Sequence, residues 1–146
     1  MECSTRRLEQ VAKLLAEELA EQLAGKQDVN EMERRMRELV KEAANAGLRQ
    51  VIEQGEGNCR SREIRCSCGQ QAQFVSKRPA VLWTVFGKME YRRRYYLCPG
   101  CHQGQAPLDQ QHSIVPGQTT PTLASLLGVL GVEVSFEEAS RLAERG

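Results

Sequence analysis

The 146-residue sequence is poor in aromatic side chains: one tryptophan, three tyrosines and three phenylalanines make up 5% of it, against 40% hydrophobic residues. So few large rings leave material for one modest domain or two small ones, not for a large core. A long apolar run is also missing. The most apolar stretch, 123–134, is too short to span a bilayer, so no membrane association is expected. Glu2, Arg6, Arg7 and Glu9 interrupt the N-terminus before a secretory apolar region can build. A cytoplasmic location is expected, where six cysteines serve as thiols or metal ligands rather than disulfides. Nor does one charge sign dominate: 20 Lys and Arg against 19 Asp and Glu give a net charge of +1, which does not advertise nucleic-acid binding by the chain as a whole. No convergent set of acid, base and nucleophile is visible, and an independent enzyme is not expected.

Charge is present in a pattern. Residues 1–54 carry nine Lys/Arg against eleven Asp/Glu, and residues 95–146 two against five, so both ends are mildly acidic. Between Arg60 and Arg94 the balance reverses. Arg60, Arg62, Arg65, Lys77, Arg78, Lys88, Arg92, Arg93 and Arg94 face only Glu63 and Glu90.

The apolar periodicity predicts an α+β chain in four parts. In 1–57, Leu8, Val11, Leu15, Leu19 and Leu23 recur at helical spacing. Gly25 ends that helix. Asp28 and Glu31 then form a capping box ahead of a second apolar face through Met32, Met36, Leu39, Val40 and Ile52. The result is a helical hairpin whose stripe needs covering, by the other helix or by a second copy of the chain or another protein. Residues 58–103 read as a small β-rich segment, with Phe74-Val75 and then Val81 to Phe86 rich in β-branched and aromatic side chains. Gly87-Lys88 is expected as the hairpin turn, which would set Phe86 opposite Met89, Thr84 opposite Tyr91 and Trp83 opposite Arg92. Residues 104–119, broken by Gly104, Pro107, Pro116 and Gly117, read as a linker. In 120–146, Thr120-Pro121 starts a helix with Leu123, Leu126, Leu127 and Leu130 on its buried face, ended by Gly131; Ser135 and Glu138 open a second.

The cysteines carry the strongest chemical signal. Tetrahedral zinc needs four thiolate or imidazole ligands, economically supplied by two tight turns each presenting a pair. Cys66-Ser67-Cys68-Gly69 is one such turn and Cys98-Pro99-Gly100-Cys101 the other, and the residues between them read as the strands that bring the turns together. Four thiolates close a site to water, which fits one structural zinc ion rather than a catalytic one. Small residues beside each pair let backbone N–H groups face the sulfurs. His102 could substitute as a ligand or stand exposed; Cys3 and Cys59 have no partner at ligand spacing.

Cys-Ser-Cys-Gly at 66–69, Val-Phe-Gly-Lys-Met-Glu-Tyr-Arg-Arg-Arg-Tyr-Tyr-Leu-Cys at 85–98, Pro-Leu-Asp at 107–109 and Ser-Phe-Glu-Glu-Ala at 135–139 together resemble the N-terminal half of ISKra-type bacterial insertion-sequence transposases. The resemblance runs from about Cys66 onward. It implies a zinc-ribbon segment that precedes a ribonuclease-H-like domain with an Asp-Asp-Glu metal site, and a last helix pair that begins a helix-turn-helix unit. Here the catalytic carboxylates are missing, since Asp109 is the only aspartate beyond Asp28. The expectation is a non-catalytic, transposase-derived accessory subunit that binds nucleic acid, DNA rather than RNA. Lys77, Arg78, Arg92, Arg93 and Arg94 would contact phosphates, with Trp83, Tyr95 and Tyr96 stacking on bases or bracing the arginines. The alternative is a protein adaptor or dimerisation module in which the ribbon is purely structural.

Overall fold

A computed structural model describes residues 2–25, 28–58 and 60–133. The expected helix from Ser135, and Cys59, lie outside these residues. The fold is α+β and divides into two compact units, Met1–Ala46 and Gly47–Gly146.

The first unit holds helix α1, Glu2–Leu23, and most of helix α2, Val29–Gln54. Ala24 and Gly25 both take positive φ and end α1. The expected capping box is only half formed. Asp28 Oδ1 accepts the Asn30 N–H at 3.2 Å, but Glu31 turns away from Asp28 to Arg34 and Arg35, whose guanidiniums offer its carboxylate a stronger partner than one backbone amide. Leu23 and Leu39 are buried, whereas Leu8, Val11 and Leu14 stand exposed, so the apolar stripe of α1 is covered only toward its C-terminal end.

The second unit is built on an antiparallel sheet in the order β1-β2-β3-β4: Glu63–Arg65, Gln71–Thr84, Gly87–Leu97 and Gly104–Gln105. The long β2–β3 hairpin is its body. Its register differs from expectation by four residues. Trp83 pairs with Lys88 rather than Arg92, and Leu82 with Met89. The turn is Val85-Phe86, and Gly87 follows it at φ 105°, so the glycine serves as the left-handed residue after the turn rather than as its first member. This register buries Leu82 against Met89, where the expected one would have set Leu82 against Arg93.

A bulge at Val75 reverses which face of β2 its even-numbered residues serve. Ser76 is opposite Tyr95 but Phe74 is opposite Tyr96, and adjacent residues of β3 point to opposite faces. On one side of the bulge Ala80, Leu82, Met89 and Tyr91 join Ile52 from the end of α2 and Leu108 in one core. Beyond it Ala72 and Tyr96 join Cys66 and Cys98 in a second core on the other face, with Ile64, Phe74 and Cys101 against it. Pro79 sits opposite Arg92, whose N–H points outward to Glu53 Oε1 at 3.0 Å, so the missing proline donor removes no rung of the ladder. Glu56, in the 3-10 turn Gly55–Asn58, takes the Arg94 N–H in the same way. The two carboxylates thus occupy the open edge of β3, where a further strand would otherwise pair.

Residues 104–119 are not a linker. Beyond β4, helix α3 spans Pro107–Gln111 and buries Leu108 and Asp109. Asp109 is met by the Tyr91 hydroxyl, which donates at 2.5 Å, and by Arg93 Nε at 2.9 Å. Residues 117–120 then lie along Val81 to Trp83, with Gly117 N–H on the Val81 carbonyl at 2.7 Å and Thr120 N–H on that of Trp83 at 2.8 Å. Helix α4, Pro121–Glu133, starts as expected, with Thr120 Oγ1 accepting the Leu123 N–H at 3.2 Å, but continues past Gly131. Leu126 and Leu127 are exposed, so its expected buried face is only partly covered.

Replacing Asp109 by Ala would leave the Arg93 guanidinium and the Tyr91 hydroxyl without their buried acceptor. The expected loss is about 3–5 kcal/mol in denaturant unfolding. Lys88→Ala, which removes an exposed ion pair to Glu90, is expected to stay within about half a kcal/mol of the parent.

Candidate metal centre

The metal site is built where the two cores' strands end. β1 and β2 are joined by the turn at Cys66 to Gln70, and β3 and β4 by the turn at Cys98 to Gln103. Both turns close in related ways. The Cys66 N–H bonds the Gln70 carbonyl at 2.8 Å, and the Cys98 N–H bonds that of Gln103 at 3.0 Å. The residue after the second cysteine takes positive φ in each, Gly69 at 91° and His102 at 58°. His102 therefore serves the backbone turn, and the convergent set contains thiols alone.

All four sulfurs lie within 4.8 Å of one another, with Cys66 to Cys101 and Cys68 to Cys98 both at 3.5 Å. Thiolates at the vertices of a tetrahedron around one zinc-sized ion would be about 3.8 Å apart. The four cysteines are thus placed to hold one metal ion. Cys66 and Cys98 are buried, Cys101 half-buried and Cys68 exposed.

The electrostatics favour a cation. The Cys68 N–H, bonding back to Cys66, holds the Cys66 thiol down at about 6. The Cys101 N–H, with that of Gly100, likewise lowers Cys98. At Cys68 the Gln70 N–H lowers the thiol, but Cys98, burial and Cys66 together outweigh it and raise it. At Cys101 the Gln103 N–H is outweighed by burial and by the neighbouring sulfurs, and the thiol rises to about 12. Two of the thiols are thus lowered and two raised, the raised ones opposed by the charge of their neighbours. A divalent ion removes that opposition. Gln105, on β4, donates its amide to Cys66 Sγ at 3.0 Å, a contact that no cysteine spacing could reveal.

The expected nucleic-acid residues scatter into different environments. Tyr96 is 0% exposed and lies in the core beside the cysteines, which leaves no ring face for a base; of its two expected roles it takes the bracing one, its hydroxyl accepting from Arg94 Nε. Arg93 is also taken up internally: besides Asp109, its Nη1 donates to the carbonyls of Arg78 at 3.1 Å and Pro79 at 2.8 Å, and its side chain is 12% exposed. Tyr95 is half-buried with Arg78 across its ring at 3.7 Å, and a side chain at Gly104 would collide with its hydroxyl. Arg94 stacks on Phe74 at 3.9 Å and donates Nε to the Tyr96 hydroxyl at 3.0 Å. Lys77 pairs with Glu56 at 2.8 Å. Trp83 is 43% exposed near the hairpin tip, and the Arg92 side chain is exposed with no partner among the described residues. Cys3 and Cys59 fall outside the described side chains.

Compared with family models, with curated proteins and with solved structures, the chain gives no match. Among the described residues no helix is long and apolar enough to cross a membrane.

Loading the metal-free protein with a divalent ion should release protons, chiefly those of the two raised thiols, Cys68 and Cys101. Affinity should fall as pH falls, because protons compete for the same sulfurs, and fall further below about 6, where Cys66 itself is protonated. Titration calorimetry in buffers of different ionisation enthalpy counts the protons. A Cys66→Ser, Cys68→Ser double variant should retain no stoichiometric metal.

Proposed function

We propose that this chain is a non-catalytic zinc-ribbon module that binds nucleic acid. The metal of its four-thiol centre is one zinc ion: an all-sulfur, closed, tetrahedral set suits zinc and leaves no position for water or substrate. Its role is structural. It ties β1 and β4 to the central hairpin, where only five register pairs would otherwise hold them.

The observation that carries the nucleic-acid reading is the separation of the basic residues into two sets. Arg93 and Arg94 are engaged by Asp109, Phe74 and Tyr96. Arg60, Arg62, Arg65 and Arg92 are exposed and make no hydrogen bond or ion pair through their side chains with any described residue. Long charged side chains left unpaired on the sheet and on the segment leading into β1 are available for phosphates. Asp109, the one aspartate after residue 28, is occupied by Tyr91 and Arg93, which supports a binding role over a catalytic one. The resemblance to insertion-sequence transposases fits a cytoplasmic accessory subunit acting on DNA, with any strand chemistry supplied by another chain.

A second reading, a protein adaptor or dimerisation module, is favoured by the exposed Leu8, Val11 and Leu14 of α1. The two readings separate under salt. If about four phosphates are contacted, affinity for an oligonucleotide should fall by roughly one to two orders of magnitude across a four-fold rise in ionic strength, as counterion release requires. Fluorescence anisotropy at several salt concentrations measures this. Salt-independent retention, or none at all at low salt, favours the adaptor.

A further inference from the structure

A cleft opens beside the bulge, lined by Arg60, Arg62, Glu63, Gln73, Phe74 and Arg94. None of the sequence patterns marks it, because its residues come from three separated segments. Three guanidiniums face it against one carboxylate. They are not equivalent. Arg94 is fixed: its Cζ lies over the Phe74 ring 3.9 Å from the ring centre, its Nε donates to the Tyr96 hydroxyl at 3.0 Å and its Nη2 to the Ser61 carbonyl at 3.3 Å. Phe74 in turn packs edge-on to Tyr96 at 5.8 Å and ties its N–H to the Arg62 carbonyl at 2.8 Å. Arg60 and Arg62 are exposed, and their side chains make no bond with any described residue.

The geometry points to this cleft as the seat of a single-stranded nucleic acid, with an unpaired base stacked at the Arg94–Phe74 pair and the flanking phosphates met by Arg60 and Arg62. This rests on the nucleic-acid reading above and names the place and the form of the ligand. A rigid, planar guanidinium backed by an aromatic ring presents a flat cation on which any base can stack. A duplex hides its base faces in the stack and would offer the cleft only phosphates, leaving the Arg94–Phe74 plate unused. The two exposed, unbonded arginines beside the plate suit a flexible backbone, whose phosphates their long side chains can follow. On β3, two residues before Arg94, the exposed Arg92 offers the strand a further cation on leaving the cleft. Selectivity for sequence is low, since stacking and phosphate contacts read no base edge.

The test uses the zinc-loaded full chain and fluorescein-labelled oligonucleotides of about a dozen nucleotides, as single-stranded DNA, single-stranded RNA and the DNA duplex, read by anisotropy at low salt. Single strands should bind more tightly than duplex. Arg60→Glu with Arg62→Glu, two exposed residues without structural bonds, should weaken single-strand binding at least ten-fold while zinc content and the far-ultraviolet dichroism stay unchanged. Phe74→Leu, which keeps an apolar filler but removes the ring, should weaken it by about ten-fold. Lys13→Glu with Arg49→Glu makes the same charge change at helical residues that do not line the cleft and should have little effect. Tighter duplex binding would overturn the ligand form. Loss of binding in Arg78→Glu with Arg92→Glu, but not in the Arg60 and Arg62 variant, would overturn the cleft and leave the nucleic-acid function standing. No binding of any oligonucleotide by the parent chain would overturn both.

Discussion

Four sulfurs must be brought within 4.8 Å of one another, although Cys68 and Cys98 lie 30 residues apart, and the second unit of this protein is arranged around that requirement. Gathering thiols is unfavourable in itself, because each thiolate raises the proton affinity of the next. The turns reduce that cost by aiming backbone N–H groups at the sulfurs, and a bound cation removes the remainder. The long β2–β3 hairpin is what carries Cys98 back to Cys66. Once it is formed, the strand pairs at its open end need only a short β1 and a shorter β4 to complete the site.

That arrangement forces the sheet to serve two cores at once. The hairpin half must pack against Ile52 and Leu108, while the metal half must wrap the cysteines, and the two lie on opposite faces. The bulge at Val75 reconciles them by changing the pleat of β2 between Phe74 and Ser76. The same crossover decides the fate of the arginine triplet. Arg93 points to the hairpin core and finds Asp109; Arg94 points to the metal face and finds Phe74 and Tyr96; the Arg92 side chain is exposed and finds no partner among the described residues. A run of three identical residues thus divides: Arg93 is taken up internally, Arg94 is fixed beside Phe74, and the Arg92 side chain stays exposed. The proposed cleft accordingly takes only Arg94 from the triplet and sets it beside Arg60 and Arg62.

Much of this was legible before any coordinates. Cysteine spacing pointed to the ligand set because two knuckle-spaced pairs have few other uses, and the change of period from helical to alternating marked where α gives way to β. The hairpin register was not legible, since Gly87 can serve a two-residue turn or follow one with equal ease, and only the burial of Leu82 against Met89 chooses between them. Residues 104–119 looked like a linker because their one buried ion pair joins Asp109 to a partner 16 residues earlier, and composition carries no trace of such pairs. Glu53 and Glu56 were invisible for the same reason: they cap amide groups 39 and 38 residues away along the chain.

A metal ion held by the four thiols would support the cysteine end of the sheet, while the hairpin core of Leu82, Met89 and Tyr91 stands by itself. Amide hydrogen exchange of the metal-loaded and the chelated protein tests it most directly. The account predicts that chelation removes protection from the amides of Cys66 and Cys98, both bonded within the knuckles, and of β1 and β4, while the amides between Leu82 and Tyr91 keep theirs. Unchanged protection at Cys66 and Cys98 after the metal is removed would contradict it.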